Sequence, residues 1–306
     1  MEKNINLVNV LPLKEVLVEA EKKGYAVGSF SPRYTPMIRP VLRAGEKTKS
    51  PLIVQISEKE LIRYGVTPFE FGETFYKAME EEKITVPVVL HLDHTKEFSV
   101  IEDCIEAGFT SVMIDASEKE LDENISISKE VVEFAHAKGV SVEAELGKIG
   151  TTDFVETDND EELYTDPKEA LRFVNETGCD ALAVSVGTAH GVYLVKQPKV
   201  DVERLKEIRN LTPVHLVLHG GSGVPSEMIK EATMLPKGGI SKVNIATDLE
   251  LALLNSLGRK ERMTNEECKA LSEEQLEIAQ NAVEAAVIEK IQYFLGSAQK
   301  AESFQV

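Results

Sequence analysis

Pro87-Val88-Val89-Leu90-His91-Leu92-Asp93-His94, residues 87–94, reads as a buried strand that ends in ionisable side chains. A short apolar run of this kind suits a strand covered on both faces. Outward from it the chain repeats the theme, with short β-branched runs alternating with longer amphipathic ones. Candidate strands are Tyr25–Phe30, Pro51–Ser57, Val86–Leu92, Ser111–Ala116, Ser141–Leu146, Ala181–Gly187, Pro213–His219 and Lys242–Thr247. Helical patterns lie between them at Thr35–Thr48, Pro68–Glu82, Ser99–Ala107, Glu118–Lys138, Pro167–Thr177, Val202–Asn210 and Ser226–Met234. One more helix precedes the first strand at Leu13–Lys23, and another follows the last from about Leu249.

Boundary residues agree with this reading. Gly24, Gly108, Gly139 and Gly178 fall just past helix ends, and Pro68, Pro167 and Pro225 fall at helix starts. Repeated βα units over about 250 residues, with no linker, predict one closed (β/α)8 TIM barrel. An open doubly wound sheet fits less well, because no GxGxxG follows the first strand. The expected organisation is a single domain, 1–306, with a C-terminal helical segment at about 264–298. That segment carries an apolar stripe (Leu276, Ala279, Val283, Ala286, Val287, Ile291) that should pack on the barrel or on another subunit. The polar stretch 149–164 is long for a loop and falls on the side of the strand C-termini.

Composition narrows the setting. The 306 residues carry a formal charge of −18, which disfavours nucleic acid and anionic membrane surfaces as partners. No apolar run approaches the roughly 20 residues of a membrane span, and no basic-then-apolar export signal opens the chain. Cys104, Cys179 and Cys268 are few and far apart, which suits a reducing cytoplasm better than a disulfide framework.

A barrel's chemistry gathers at the C-terminal ends of its strands. The third strand ends in Asp93-His94, the fourth at Asp115, and the fifth carries Glu143 and Glu145. The sixth runs into His190-Gly191, the seventh into His219-Gly220-Gly221-Ser222-Gly223, and the eighth holds Asn244 and Thr247. A lone histidine at any of these positions is more often a structural hydrogen-bonder. Three of them at equivalent places in three βα units instead suggest an open divalent-metal site, zinc for preference. His91, His136 and His215 are assigned structural or surface roles. The glycine run after His219 is an ordinary tight turn by itself. Beside a candidate metal ligand it suits phosphate, as loops after the last two strands of such barrels often do.

The ordered motifs HLDH, GFTSVMIDAS, EAELGKIG, AVSVGTAHGVY, VLHGGSGVP and KVNIATDL resemble the class II fructose- and tagatose-bisphosphate aldolases from about Leu11 to Leu254. The resemblance implies a carbon–carbon lyase that releases dihydroxyacetone phosphate from a phosphorylated ketose. It further implies zinc held by His94, His190 and His219, an acid/base at Asp93, and Asp115 and Glu145 as ligands for a second metal position. Gly191, Gly220, Gly221, Ser222, Asn244, Ile245, Ala246 and Thr247 match residues that hold the three-carbon phosphate. A monovalent cation, Na+ or K+, and a homodimer or homotetramer are also implied.

Departures from the pattern concern the aldehyde half. Leu194 stands where relatives carry lysine after the tyrosine of GxY, leaving Lys196 or Lys199 to reach the phosphate, and Glu250 stands where fructose-specific relatives carry a basic residue. A carboxylate there should repel a distal phosphate. Arg33 is either a new contact for a distal anion or a solvated loop charge, and Asp153 is a candidate proton carrier. Two other readings are a zinc hydrolase, disfavoured by a first strand offering Ser29 and Ser31 but no histidine, and a non-catalytic aldolase-like partner subunit.

Overall fold

A computed structural model of the chain describes residues 8–148, 150–151, 163–190 and 198–304. Eight parallel strands form a closed barrel. They are β1 (Val27–Phe30), β2 (Leu52–Ser57), β3 (Val88–Thr95), β4 (Ser111–Ile114), β5 (Ser141–Leu146), β6 (Ala181–Val184), β7 (His215–Leu218) and β8 (Ile240–Ile245). Their order around the barrel is β1-β8-β7-β6-β5-β4-β3-β2. The helices are α1 (Leu13–Lys23), α2 (Ile38–Thr48), α3 (Glu58–Tyr64), α4 (Pro68–Glu81), α5 (Phe98–Glu106), α6 (Leu121–His136), α7 (Pro167–Thr177), α8 (Val202–Leu211), α9 (Ser226–Thr233) and α10 (Thr247–Ser256). The (β/α)8 barrel expected from the sequence is the fold observed.

Alternation along each strand sorts side chains to two faces. Leu52, Val54, Leu90, Leu92, Val112, Leu216, Leu218, Val243 and Ile245 face outward into one large apolar core with the helices. The barrel interior is divided by height. Its lower part is apolar (Val27, Ile53, Val89, Met113, Val217) and is closed from beneath by Leu13, Val16, Leu17 and Ala20 of α1. Its upper part is polar, with Ser29, Gln55, His91, Asp93, Glu143, Glu145, Lys242 and Asn244 all buried. The strands are therefore apolar throughout only on the helix-facing side.

Three local details go beyond the sequence reading. The turn after β2 is helical: Ser57 and Glu60 form a reciprocal capping box that starts α3. The C-terminal segment is not one helix. Capping boxes at Thr264/Glu267 and Ser272/Gln275 start two, α11 (Asn265–Lys269) and α12 (Glu273–Glu289), followed by a π-helical turn at Lys290–Leu295. Ala279, Val283, Val287 and Ile291 of the predicted stripe are buried, and α12 packs on α2 and α10. Finally, α9 begins at Ser226, directly behind Pro225 at the N-cap. Among the described residues, no helix is long and apolar enough to cross a membrane.

Candidate metal centre and active-site cleft

The site begins with an irregularity in β3. Its pairing with β4 shifts register between Leu92 and Thr95, and His94 there adopts φ 22°. In a regular strand Asp93 and His94 would face opposite sides. The bulge re-aims His94, so that both side chains line the same cleft at the barrel mouth. A positive φ on a non-glycine residue costs about 1–3 kcal/mol and persists only where the surroundings impose it.

A second constraint brings the other two imidazoles beside His94. Gly220, directly after His219, has φ 67°, and a Cβ there would stand 2.3 Å from the Ala189 carbonyl oxygen. Only glycine allows the chain after β7 to approach the chain after β6 this closely. Ala189–His190 is held in turn by a short parallel pairing with Gly150–Thr151. Ring centroids of His94 lie 4.9 Å from His190 and 4.5 Å from His219, and those two are 5.7 Å apart. One ring nitrogen from each lies within 4.8 Å of the others.

Partners behind the rings decide which nitrogens face inward. His94 Nδ1 sits 2.9 Å from Asp115 Oδ2, and His219 Nε2 sits 2.8 Å from Glu143 Oε1. Their other nitrogens, Nε2 and Nδ1, are buried and make no hydrogen bond among the described residues. His219 Nδ1 instead faces Glu145 Oε2 at 3.3 Å. Buried ring nitrogens left without a hydrogen-bond partner are the arrangement a cation completes once any proton on them has left, and carboxylates behind imidazoles are the usual support of such ligands. Burial and the His94 charge lower His190 to about 4, and the same two causes hold His219 well below the usual range, so both rings are neutral. Burial also opposes charge on His94, but Asp93, Asp115 and Glu145 outweigh it and raise that ring to about 10.

The acids are held separately. Asp93 receives hydrogen bonds from Gln55 Nε2 at 3.2 Å and Asn244 Nδ2 at 3.0 Å. Burial works against its charge, yet His94, Lys242 and His219 keep its carboxyl below the ordinary range. Asp115 is steadied by Ser117, whose hydroxyl lies at 2.7 Å. Burial, together with Asp115 and Glu143, raises Glu145 to about 8. His94, Asp115 and Glu145 make a second group with metal-ligand spacing. A third, His91, Asp93 and Glu143, lies deeper, where the Lys242 ammonium, 2.8 Å from Glu143 Oε2, already supplies positive charge.

The cleft above these groups has a volume of about 500 Å³. Gly220, Ser222, Asn244, Ala246 and Thr247 line it. The loops after β7 and β8 are tied together, Gly221 N donating to Asn244 O at 3.0 Å and Asp248 N to Ser222 Oγ at 3.3 Å. Of the residues expected at the phosphate, Ile245 turns its side chain into the outer apolar core, and Gly221 packs so closely that a Cβ there would meet Val243 and the Asn244 carbonyl. Gly191, Asp153, Leu194 and Lys196 lie outside the described residues. His91, His136 and His215 pair with Ser111, Asp180 and Glu21 respectively, in keeping with structural roles. Gln55, Lys242 and Ser57 were not singled out by the sequence reading. The signal for the first two was a polar side chain at an inward position of an apolar strand.

Comparison with known proteins agrees with this geometry. Residues 11–300 match the family described as class-II fructose-bisphosphate aldolase. The chain is 39% identical to the fructose-bisphosphate aldolase of Geobacillus stearothermophilus over 295 residues, covering 96% of this chain and 99% of that one. It is 40% identical to the Helicobacter pylori (strain J99) enzyme of the same description over 260 residues, covering 78% and 84%. In structure it resembles the YdjI aldolase from Escherichia coli K12, with TM-score 0.80, 33% identity and coverage of 95% and 99%. Those matches, to a barrel with metal-spaced histidines at its mouth, place the chain among the class II aldolases, which are carbon–carbon lyases. This chain belongs to the class II fructose-bisphosphate aldolase family.

Proposed function

We propose that the chain is a zinc-dependent aldolase that reversibly cleaves a ketose 1-phosphate or 1,6-bisphosphate of the fructose or tagatose type. The products are dihydroxyacetone phosphate and an aldehyde such as glyceraldehyde 3-phosphate. The observation that carries this reading is the meeting of His94, His190 and His219 beside a buried, doubly hydrogen-bonded Asp93.

His94, His190 and His219 would hold the ion. When bound, zinc supplies a Lewis acid to the ketose oxygens, which stabilises negative charge developing beside the C2 carbonyl. Asp93 takes the C4 hydroxyl proton in cleavage and returns it in condensation. Its lowered pKa keeps it ionised and ready to accept, and Gln55 and Asn244 fix its orientation. Gly220, Ser222, Ala246 and Thr247, at the start of α10, hold the phosphate with backbone N–H groups. Anchoring that end fixes C3 in reacting geometry. Asp115 and Glu145 offer a second position for the ion, and a monovalent cation, Na+ or K+, belongs to the same proposal at the glycine loop.

Three free, buried cysteines support a cytoplasmic setting. Ile278 and Tyr293, exposed on the C-terminal segment, support a homodimer or homotetramer. The test is retro-aldol turnover of fructose and tagatose bisphosphates, with and without EDTA and with zinc restored. Activity that survives chelation would defeat the proposal.

A further inference from the structure

The residue expected to repel a distal anion does something else. Glu250, one turn into α10, is 5% exposed and accepts hydrogen bonds from Tyr64 OH at 2.9 Å and Tyr34 OH at 3.3 Å. Its Oε2 accepts from Arg262 Nε at 2.9 Å and from Arg33 Nη1. One carboxylate thus anchors two guanidinium groups. Arg33 is fixed a second time, through Nε to Glu60 Oε1 at 2.9 Å. Glu60 itself is tied to Ser31 and to the Ser57 backbone at the cap of α3. Arg33 holds φ 64° and is only 8% exposed, so it is no solvated loop charge.

Both guanidinium groups line the cleft that contains Asp93 and His94. None of the described residues hydrogen-bonds Arg33 Nη2 or either Nη of Arg262. A planar fork whose other donors are pinned by carboxylates is preorganised for a small oxyanion, and little entropy is lost when one arrives. We propose that Arg33 and Arg262, clamped on Glu250, form a subsite for an anionic group at the far end of the aldehyde, away from the carbon that is joined. The chemistry fits a terminal carboxylate or phosphate. This deepens the aldolase reading and rests on it.

The test pairs dihydroxyacetone phosphate with three aldehydes of equal length that end in phosphate, carboxylate or hydroxymethyl. The zinc-loaded enzyme is expected to favour at least one acidic aldehyde in kcat/KM. Arg262→Gln and Arg33→Lys should each lower the acidic-to-neutral ratio roughly 10- to 100-fold, the scale of a lost charge-assisted hydrogen bond. The effect should fall on KM more than on kcat. Arg262 is half exposed, so its replacement keeps the measurement open if changes at Arg33 unfold the chain. Loss of preference for phosphate alone, carboxylate alone or both supports the subsite and identifies its anion. An unchanged ratio in both variants, or a parent enzyme indifferent to the terminal group, overturns it. Absence of solvent exchange at C3 of dihydroxyacetone phosphate in the parent enzyme would overturn the aldolase reading as well.

Discussion

Lys242 Nζ lies 2.8 Å from Glu143 Oε2, and both side chains are fully buried inside the barrel. The same ammonium donates to Asn244 Oδ1 at 2.7 Å. Glu143 backs His219 and Asn244 donates to Asp93, so one buried charge supports both a candidate metal ligand and the candidate acid/base. Lys242→Met leaves the carboxylate uncompensated and should cost about 3–5 kcal/mol, with Lys242→Met/Glu143→Gln recovering much of it. Urea unfolding of the single and double variants measures this. A single variant as stable as the parent would show that the pair has no such role.

Asp93→Asn preserves size and hydrogen bonding but removes the proton acceptor. Turnover should fall by roughly two to four orders of magnitude, the range for a positioned acid/base group, with zinc still bound. Metal content measured beside retro-aldol rates checks both halves. Near-normal turnover would remove Asp93 from the role.

Metal uptake should be linked to pH. Without metal, His94 holds its proton below about 10, and Glu145 holds its own below about 8. A cation among these groups requires the proton-free forms. Affinity should therefore rise as pH increases through 7 to 10, and binding at pH 7 should release about one to two protons. Zinc titration in weak buffer with a pH electrode reads the release directly. Uptake without it, and affinity flat across that range, would contradict the charge states.

Gly220→Ala should damage the site through the backbone. Its φ of 67° disfavours alanine, and the new Cβ would collide with the Ala189 carbonyl. A stability loss of about 1–3 kcal/mol is expected from the strain, together with weaker zinc binding as His190 and His219 are forced apart. Thermal melts and chelator competition report the two effects. An unaltered zinc affinity would mean that the close approach does not set the site.

Much of this was legible because a barrel places function at strand ends, so Asp93, His94, Asp115, Glu145, His190 and His219 could be found from their positions alone. What stayed hidden depended on contacts between distant segments. Glu250 looked repulsive as an isolated charge, and only the fold reveals the two arginines and two tyrosines around it. Lys242 and Gln55 were masked by apolar neighbours in strands read as uniformly buried. The start of α3 was legible in principle, since Ser57 and Glu60 have capping-box spacing, but the apolar period over so short a helix is weak.

The stopper that α1 forms beneath the barrel makes the cleft a vessel with one doorway. In condensation, whichever molecule sits deeper has to arrive first and leave last. On the proposed reading, the three-carbon phosphate is that molecule. Such an order of traffic would follow from the packed lower interior and the helix beneath it, on the opposite side of the barrel from the chemistry.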